Sequence, residues 1–412
     1  MIVLSVFTMI FSSIISFFAT KSWFSPTSFF AISWLFFTSS PIIFAPEYSI
    51  NKYGILYIAL AVMSCSSGGV FASLIKNKLK NNSNKLMIQN SEKLRTSLIF
   101  FNMASMAGIL SLLFYIESFY LSTFTYSSWQ LVPNLISVDR YSGNLVYPVY
   151  IKYLLYFIYP ANIVSGILIN TYYENKRKIV LFLPLFFSIA LGLIEGSRTS
   201  ILLGSVLFFS SWLSSGVILF RDKKKFSHYK VIFLTISFIL FFLVLFVFVQ
   251  WLRQGLDPIF FDLITARIKA YFFGYLSAFT LWFESTNNIL TIKSFLSTFA
   301  GPISLLGGIE RNLGFYEPIL ISKEVSTNIF TALRSIISDF SIIGSLILIF
   351  LIGFVSQIEF QKRTTDIFTK ILFMSAFYSF TLYSPLISIF HYNSIFFSWF
   401  IIFFILKLRF NK

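Results

Sequence analysis

The chain has 412 residues, of which 57% are hydrophobic, 20% aromatic and only 12% charged, with 55 phenylalanines. Soluble domains carry about twice that charged fraction, so a soluble fold is excluded. The formal charge of +16 suits an anionic partner in principle, but its distribution along the chain, described below, explains it without one.

Apolar runs of 18 or more residues recur throughout, each long enough to cross a hydrocarbon core about 30 Å thick. Every backbone group in such a run must be satisfied internally, which makes it a helix. The alternating segments of a membrane β-barrel are not seen. The first run, from Ile2 to Ala19, lacks a basic region ahead of it and reads as a retained span rather than a cleaved signal peptide. Further spans are expected at 28–45, 53–75, 96–120, 147–172, 179–195, 199–220, 231–250, 335–358, 367–389 and 394–408. The fold class is therefore an all-α integral membrane protein, one polytopic domain over 1–412 with about eleven transmembrane helices, ten to twelve at the limits. Its single cysteine, Cys65, lies in an apolar stretch; it permits no intramolecular disulfide or zinc-type cluster and reads as a small buried hydrophobe.

Basic clusters punctuate the spans. Lys76, Lys78, Lys80, Lys85, Lys93 and Arg95 form the first, followed by Lys176-Arg177-Lys178, Arg221 with Lys223–Lys225 and Lys230, Lys362-Arg363, and a tail of Lys407, Arg409 and Lys412. An even number of spans separates successive clusters, so all fall on one side, which the positive-inside rule makes cytoplasmic. The amino terminus is then external and the carboxyl terminus cytoplasmic. The excess of +16 sits wholly on the inner face, beside anionic lipid headgroups, and the outer face is neutral. Nucleic acid is thereby removed as a partner. No solenoid repeat and no inverted repeat of the transporter kind is evident.

Two external segments are long. One, about 121–146, contains Trp129, Asp139 and Arg140; the other, the large loop 251–325, begins at Trp251. A structureless loop of that length is unusual, and 262–284 reads as an amphipathic helix with Asp262, Arg267, Lys269 and Glu284 among aromatic residues. Its apolar stretch is too short to span, which fits an interfacial or re-entrant helix. Arg198, Arg253, Arg267, Arg311 and Arg334 lie near span ends or in this loop. Arg198 stands in the tight break Glu195-Gly196-Ser197-Arg198-Thr199, and Arg253 follows the eighth span. A guanidinium at such depth is costly and often functional. Its planar fork of donors suits a diphosphate or carboxylate. The bland alternative is local pairing, as of Arg198 with Glu195, or snorkelling to headgroups. With His228 and His391 the only histidines, a histidine-based metal centre is excluded. No Asp-x-Asp pair and no Walker-type loop occurs, so neither cofactor nor metal is called for, and an external reaction must draw on an activated donor.

The stretch Thr327-Asn328-Ile329-Phe330-Thr331, followed by Arg334, Asp339-Phe340 and Gly344, resembles the Wzy-type oligosaccharide repeat-unit (O-antigen) polymerases. Gly196-Ser197-Arg198, and Arg267 with Tyr271, Gly274 and Ala278-Phe279, agree with it. The resemblance covers roughly residues 190–360. Ser341 departs from it, standing where that family usually has glycine. The resemblance implies a GT-C-like, multi-pass bundle in a bacterial inner membrane, with about twelve spans where eleven are counted here; the external amino terminus, which the charge distribution gives, is then periplasmic. It further implies metal-independent transfer of a growing glycan from undecaprenyl diphosphate to the non-reducing end of another lipid-linked unit. The partners implied are that lipid-linked oligosaccharide, membrane lipid and a chain-length regulator.

On this reading Arg198 and Arg253 bind the donor diphosphate, and Arg267, Arg334, Tyr271 and Asn328 position substrate. Asp339, Glu195 and His391 are the candidate bases. Trp251, Tyr271, Tyr275 and Trp282 are candidates for stacking on sugars. Two competing functions are an O-antigen ligase, disfavoured because the loop 251–325 has no histidine, and a flippase or secondary transporter, which should place ionisable groups along a mid-membrane path.

Overall fold

The structure, a computed structural model, describes residues 1–75, 84–120, 132–171, 175–220, 244–254, 258–286, 297–307, 316–362 and 366–408. It is an all-α multi-pass membrane protein. Among the described residues seven helices are long and apolar enough to cross a membrane, and the only sheet is a hairpin of two short strands. The chain divides into two compact units.

The first unit comprises Met1–Asn84 and Lys269–Phe396. It holds α1 (Ile2–Thr20), α2 (Pro26–Phe44) and α3 (Lys52–Leu74). Val3, Phe7, Phe11 and Phe18 of α1 are exposed, while Ser5, Met9, Ser12, Ser13 and Ser16 are buried. A water-soluble helix would face the other way; small polar residues inward and large apolar ones outward mark a lipid-facing helix. Ser25 caps α2 by accepting the Ser28 N–H at 3.4 Å, and Pro26 opens the helix where no donor is needed.

The second unit comprises Lys85–Ile268 and Phe397–Lys412. It contains α4 (Asn84–Tyr120), α5 (Val132–Ser142), α6 (Val149–Tyr156), α7 (Ile158–Thr171), α8 (Leu183–Ile194) and α9 (Arg198–Leu219). The expected span 147–172 is broken at Phe157, because Pro160 has no N–H to donate back to Tyr156 and the chain tightens there. Asn162 binds the helices together through its amide, which donates to the carbonyls of Ile158 (2.8 Å) and Pro184 (3.2 Å) and to Ser188 Oγ (2.8 Å). Such side-chain amides hold helices where water drives no packing.

α10 (Phe261–Glu284) realises the helix expected in the large loop. Its first turns are exposed, and residues 274–280 are buried against the protein. Thr280 Oγ1 accepts the Asn51 N–H at 3.1 Å, and Tyr275 donates its hydroxyl to the Phe37 carbonyl at 2.6 Å. Beyond it come α11 (Ala300–Leu305), strands β1 (Ile319–Leu320) and β2 (Ser326–Thr327), paired antiparallel, then α12 (Ala332–Gln361), α13 (Ile367–Tyr383) and α14 (Asn393–Lys407).

α12 packs against α3 through small residues. A methyl group on Gly68 would run into the Phe350 carbonyl, and one on Gly353 into that of Cys65. Ser64 donates to the Leu346 carbonyl at 2.7 Å, and the Tyr57 and Ser345 hydroxyls lie 2.6 Å apart. Two further expected spans are shorter than the sequence suggests. The span 367–389 ends at Tyr383 because Pro385 follows, and 179–195 begins as the tight 3₁₀ turn Asn175–Phe182. The span 231–250 lies largely outside the described residues, as does Arg311; residues 244–252 are helical.

Candidate functional site

The residues singled out by sequence fall into two groups, one in each unit. In the second unit, α8 ends at a left-handed Gly196 (φ 59°), and the chain turns so that the Ser197 N–H donates to the Gly192 carbonyl at 2.8 Å. A side chain is strained at that angle, which is why glycine ends the helix. Arg198 then opens α9. Arg253, more than fifty residues on, is brought to the same turn: its Cγ is 3.2 Å from where a Gly196 Cβ would lie. Glu195 is buried in this turn, with Ser200 Oγ donating to its carboxylate at 3.5 Å. Arg267 is exposed on the first turns of α10.

In the first unit, three segments meet around the start of α12. Thr331 is its N-cap, fully buried, with a hydroxyl that finds no partner among the described residues. Arg334, one turn in, has its guanidinium carbon 3.9 Å from the Tyr316 ring centroid, 3.9 Å from that of Phe330 and 5.1 Å from Trp282. The Tyr316 hydroxyl lies 2.8 Å from Ser335 Oγ, and burial pushes its pKa up to about 12. Asn328 is exposed beside this cluster, and Tyr271 is partly buried on α10.

Deeper along α12, the Asp339 carboxylate accepts two backbone N–H groups, from Ser297 at 3.1 Å and Thr298 at 2.7 Å. The carbonyl of Ser297 faces His391 Nδ1 at 3.4 Å. The 297–298 peptide group therefore touches Asp339 through its N–H and His391 through its oxygen. Asp339 and His391 are both buried. A methyl on Gly301 would strike the His391 carbonyl, so the 297–305 segment sits directly on 391–393. Two residues past Asp339 the helix breaks at Ser341 (φ 69°, ψ 174°), whose hydroxyl accepts the Gly344 N–H at 3.2 Å and restarts the helix.

The structure thus brings Arg253 to the Gly196 turn that precedes Arg198, links Asp339 and His391 through the 297–298 peptide, and gives Arg334 a surround of its own. Tyr275 is buried with its hydroxyl donated, so it presents no face to a sugar. Tyr316, Phe330 and the 297–298 turn were not legible as site residues; the one sequence signal was the proximity of Phe330 and Arg334 in the chain. No family model matches the sequence, and no curated protein and no solved structure matches it.

Proposed function

We propose that the protein polymerises lipid-linked oligosaccharide repeat units as a metal-independent glycosyltransferase. The growing glycan is transferred from undecaprenyl diphosphate to the non-reducing end of another lipid-linked unit, on the periplasmic face of a bacterial inner membrane. The observation that carries this reading is the meeting of Arg253 with the Glu195–Arg198 turn. Arg253, from a distant part of the chain, packs the stem of its side chain on the turn that leads into Arg198 at the start of α9, where the helix's first N–H groups add positive potential.

The leaving group of such a transfer is a diphosphate that gains negative charge as the glycosidic bond breaks. Fixed donors aimed at that developing charge are the largest catalytic contribution available without a metal. Arg198 and Arg253 take this role, and Arg267, Arg334, Tyr271 and Asn328 position the glycans. The acceptor hydroxyl needs a base. Asp339 has both oxygens engaged by backbone N–H groups and works best as the anchor of the 297–298 turn, which leaves the base to Glu195 or His391. The Thr-Asn-x-aromatic-Thr resemblance supports the same reading.

A ligase that moves finished glycan from the same carrier gains support from one observation. The loop 251–325 has no histidine of its own, yet Ser297 in it meets His391. Cells carrying Arg198→Ala or Arg253→Ala, compared for polymer length and for glycan attached to a lipid acceptor, separate the readings. Loss of long polymer is expected from a polymerase. Loss of attachment alone would favour the ligase, and full-length attached polymer from both variants would remove the diphosphate role.

A further inference from the structure

Arg334 is placed unlike the other arginines. It lies in the first turn of α12, where the helix's own dipole is positive and a cation is disfavoured. Two ring faces, Tyr316 and Phe330, approach its guanidinium at 3.9 Å each, and Trp282 stands beside them at 5.1 Å. The Tyr316 and Phe330 rings stand 5.3 Å apart at 68° to one another, so at most one stacks flat on the guanidinium and the other receives an edge of it; its five N–H donors outnumber what the ring faces engage. Among the described residues those donors meet no hydrogen-bond acceptor and no ion-pair partner; the exposed Glu317 forms no ion pair with it. At the same helix start the Thr331 hydroxyl is fully buried and unpartnered among the described residues. Buried polar atoms and partly buried charges are ordinarily satisfied, so a fixed fork of donors beside a spare hydroxyl marks a place for a ligand's oxygens.

The geometry points to an oxyanion-binding site formed by Arg334 and Thr331 at the start of α12, taking a carboxylate or phosphate borne on a saccharide. The aromatic rings pack the guanidinium from more than one direction and fix it in place, so that its remaining donors are available to a planar or tetrahedral oxyanion. Trp282, partly exposed, gives the adjoining sugar ring an apolar face. The site uses residues other than the Arg198–Arg253 turn and implies that the lipid-linked unit bound there presents a negative charge to it. That the oxyanion is borne on a saccharide rests on the proposed glycosyl transfer, while the oxyanion chemistry does not. The two sources of such a group are an acidic sugar and the diphosphate of a second lipid-linked unit.

The experiment is equilibrium binding to the purified full-length protein in detergent. The probes are a hexuronic-acid disaccharide, its neutral hexose counterpart and farnesyl diphosphate, with wild type, Arg334→Gln and Arg334→Lys. The expected result is at least a roughly 10-fold weaker affinity of Arg334→Gln for an anionic probe and an unchanged response to the neutral one, as loss of a charge-assisted bidentate pair implies. Dependence on Arg334 with the uronic acid alone identifies an acidic sugar; dependence with farnesyl diphosphate alone identifies the lipid diphosphate. Arg334→Lys keeps the charge but not the stacked fork, and an affinity reduced at least about 3-fold is expected of it, which serves if the glutamine variant does not fold. Wild-type affinity for both anionic probes in the variants, or an equal loss with the neutral disaccharide, overturns the site. Binding is read without turnover, so a protein that binds these probes but lengthens no glycan keeps this site and loses the polymerase reading.

Discussion

Ser341 holds a backbone conformation (φ 69°, ψ 174°) that only glycine adopts without strain, and it does so inside a helix and almost fully buried. The strain costs about 1–3 kcal/mol. The Ser341 hydroxyl offsets part of that by capping the restarted helix through Gly344, a contribution of about 1 kcal/mol. Ser341→Gly removes the strain with the cap, and Ser341→Ala removes the cap alone. The glycine variant is therefore expected to melt at or above wild type and the alanine variant clearly below it, as measured by thermal unfolding in detergent. Equal destabilisation by both would show that the break stores no strain. A serine at position 341 gave no sequence sign of the left-handed backbone that the structure shows there. The gathering of Tyr316, Phe330 and Trp282 around Arg334 was not legible, because a side chain's surroundings depend on tertiary packing across more than fifty residues of chain.

At the level of elements, α3 and α12 approach until backbone meets backbone, and the close approach depends on Gly68 and Gly353. Lipid supplies no hydrophobic drive for this contact, so dispersion and hydroxyl bonds such as that of Ser64 to Leu346 must hold it. Gly353→Leu is expected to destabilise the first unit by about 1–3 kcal/mol, through overpacking against the Cys65 carbonyl. Chemical denaturation of the purified protein measures it, and wild-type stability would contradict the packing. A second element contact is titratable. Lys269 on α10 pairs with Glu47 in the α2–α3 loop at 2.6 Å, and the hydrogen bond from Lys269 holds the Glu47 carboxyl below its ordinary range. A carboxylate depressed in the folded state stabilises above its unfolded pKa, and that stabilisation is lost as the pH falls through the folded value. Both partners are well exposed, so it amounts to less than about 1 kcal/mol. Lys269→Met is expected to lower stability slightly at neutral pH, to have no effect at low pH where Glu47 is protonated, and so to flatten the acid limb of the stability curve; an unchanged acid limb would show that the pair contributes nothing.

Helix ends were less legible than helices. The apolar run 147–172 hides a break caused by Pro160, and 367–389 merges a helix with the turn that Pro385 imposes. Hydropathy sums over a window and does not register a missing N–H. The helix expected at 262–284 was legible in its bounds. Its burial was not, because the residues that receive it, Asn51, Gly54 and Phe37, lie over two hundred positions earlier.

For the molecule as a whole, the exposed aromatic and aliphatic faces, such as Phe7, Phe11 and Phe18 on α1, belong against hydrocarbon, and the class of the protein follows from them. Orientation rests on charge. If the basic clusters lie inside, a green fluorescent reporter fused after Lys412 fluoresces, while a periplasm-dependent phosphatase there stays inactive; the opposite pattern would invert the topology and move Arg198 and Arg253 to the cytoplasmic face. The functional proposal itself depends on whether those two arginines act on a lipid diphosphate. The most direct measurement is polymerisation of a purified lipid-linked repeat unit by the purified protein in the presence of a metal chelator. The account predicts chain lengthening by the wild type and its loss in Arg198→Ala and in Arg253→Ala. No lengthening by the wild type, or undiminished lengthening by either variant, would contradict it.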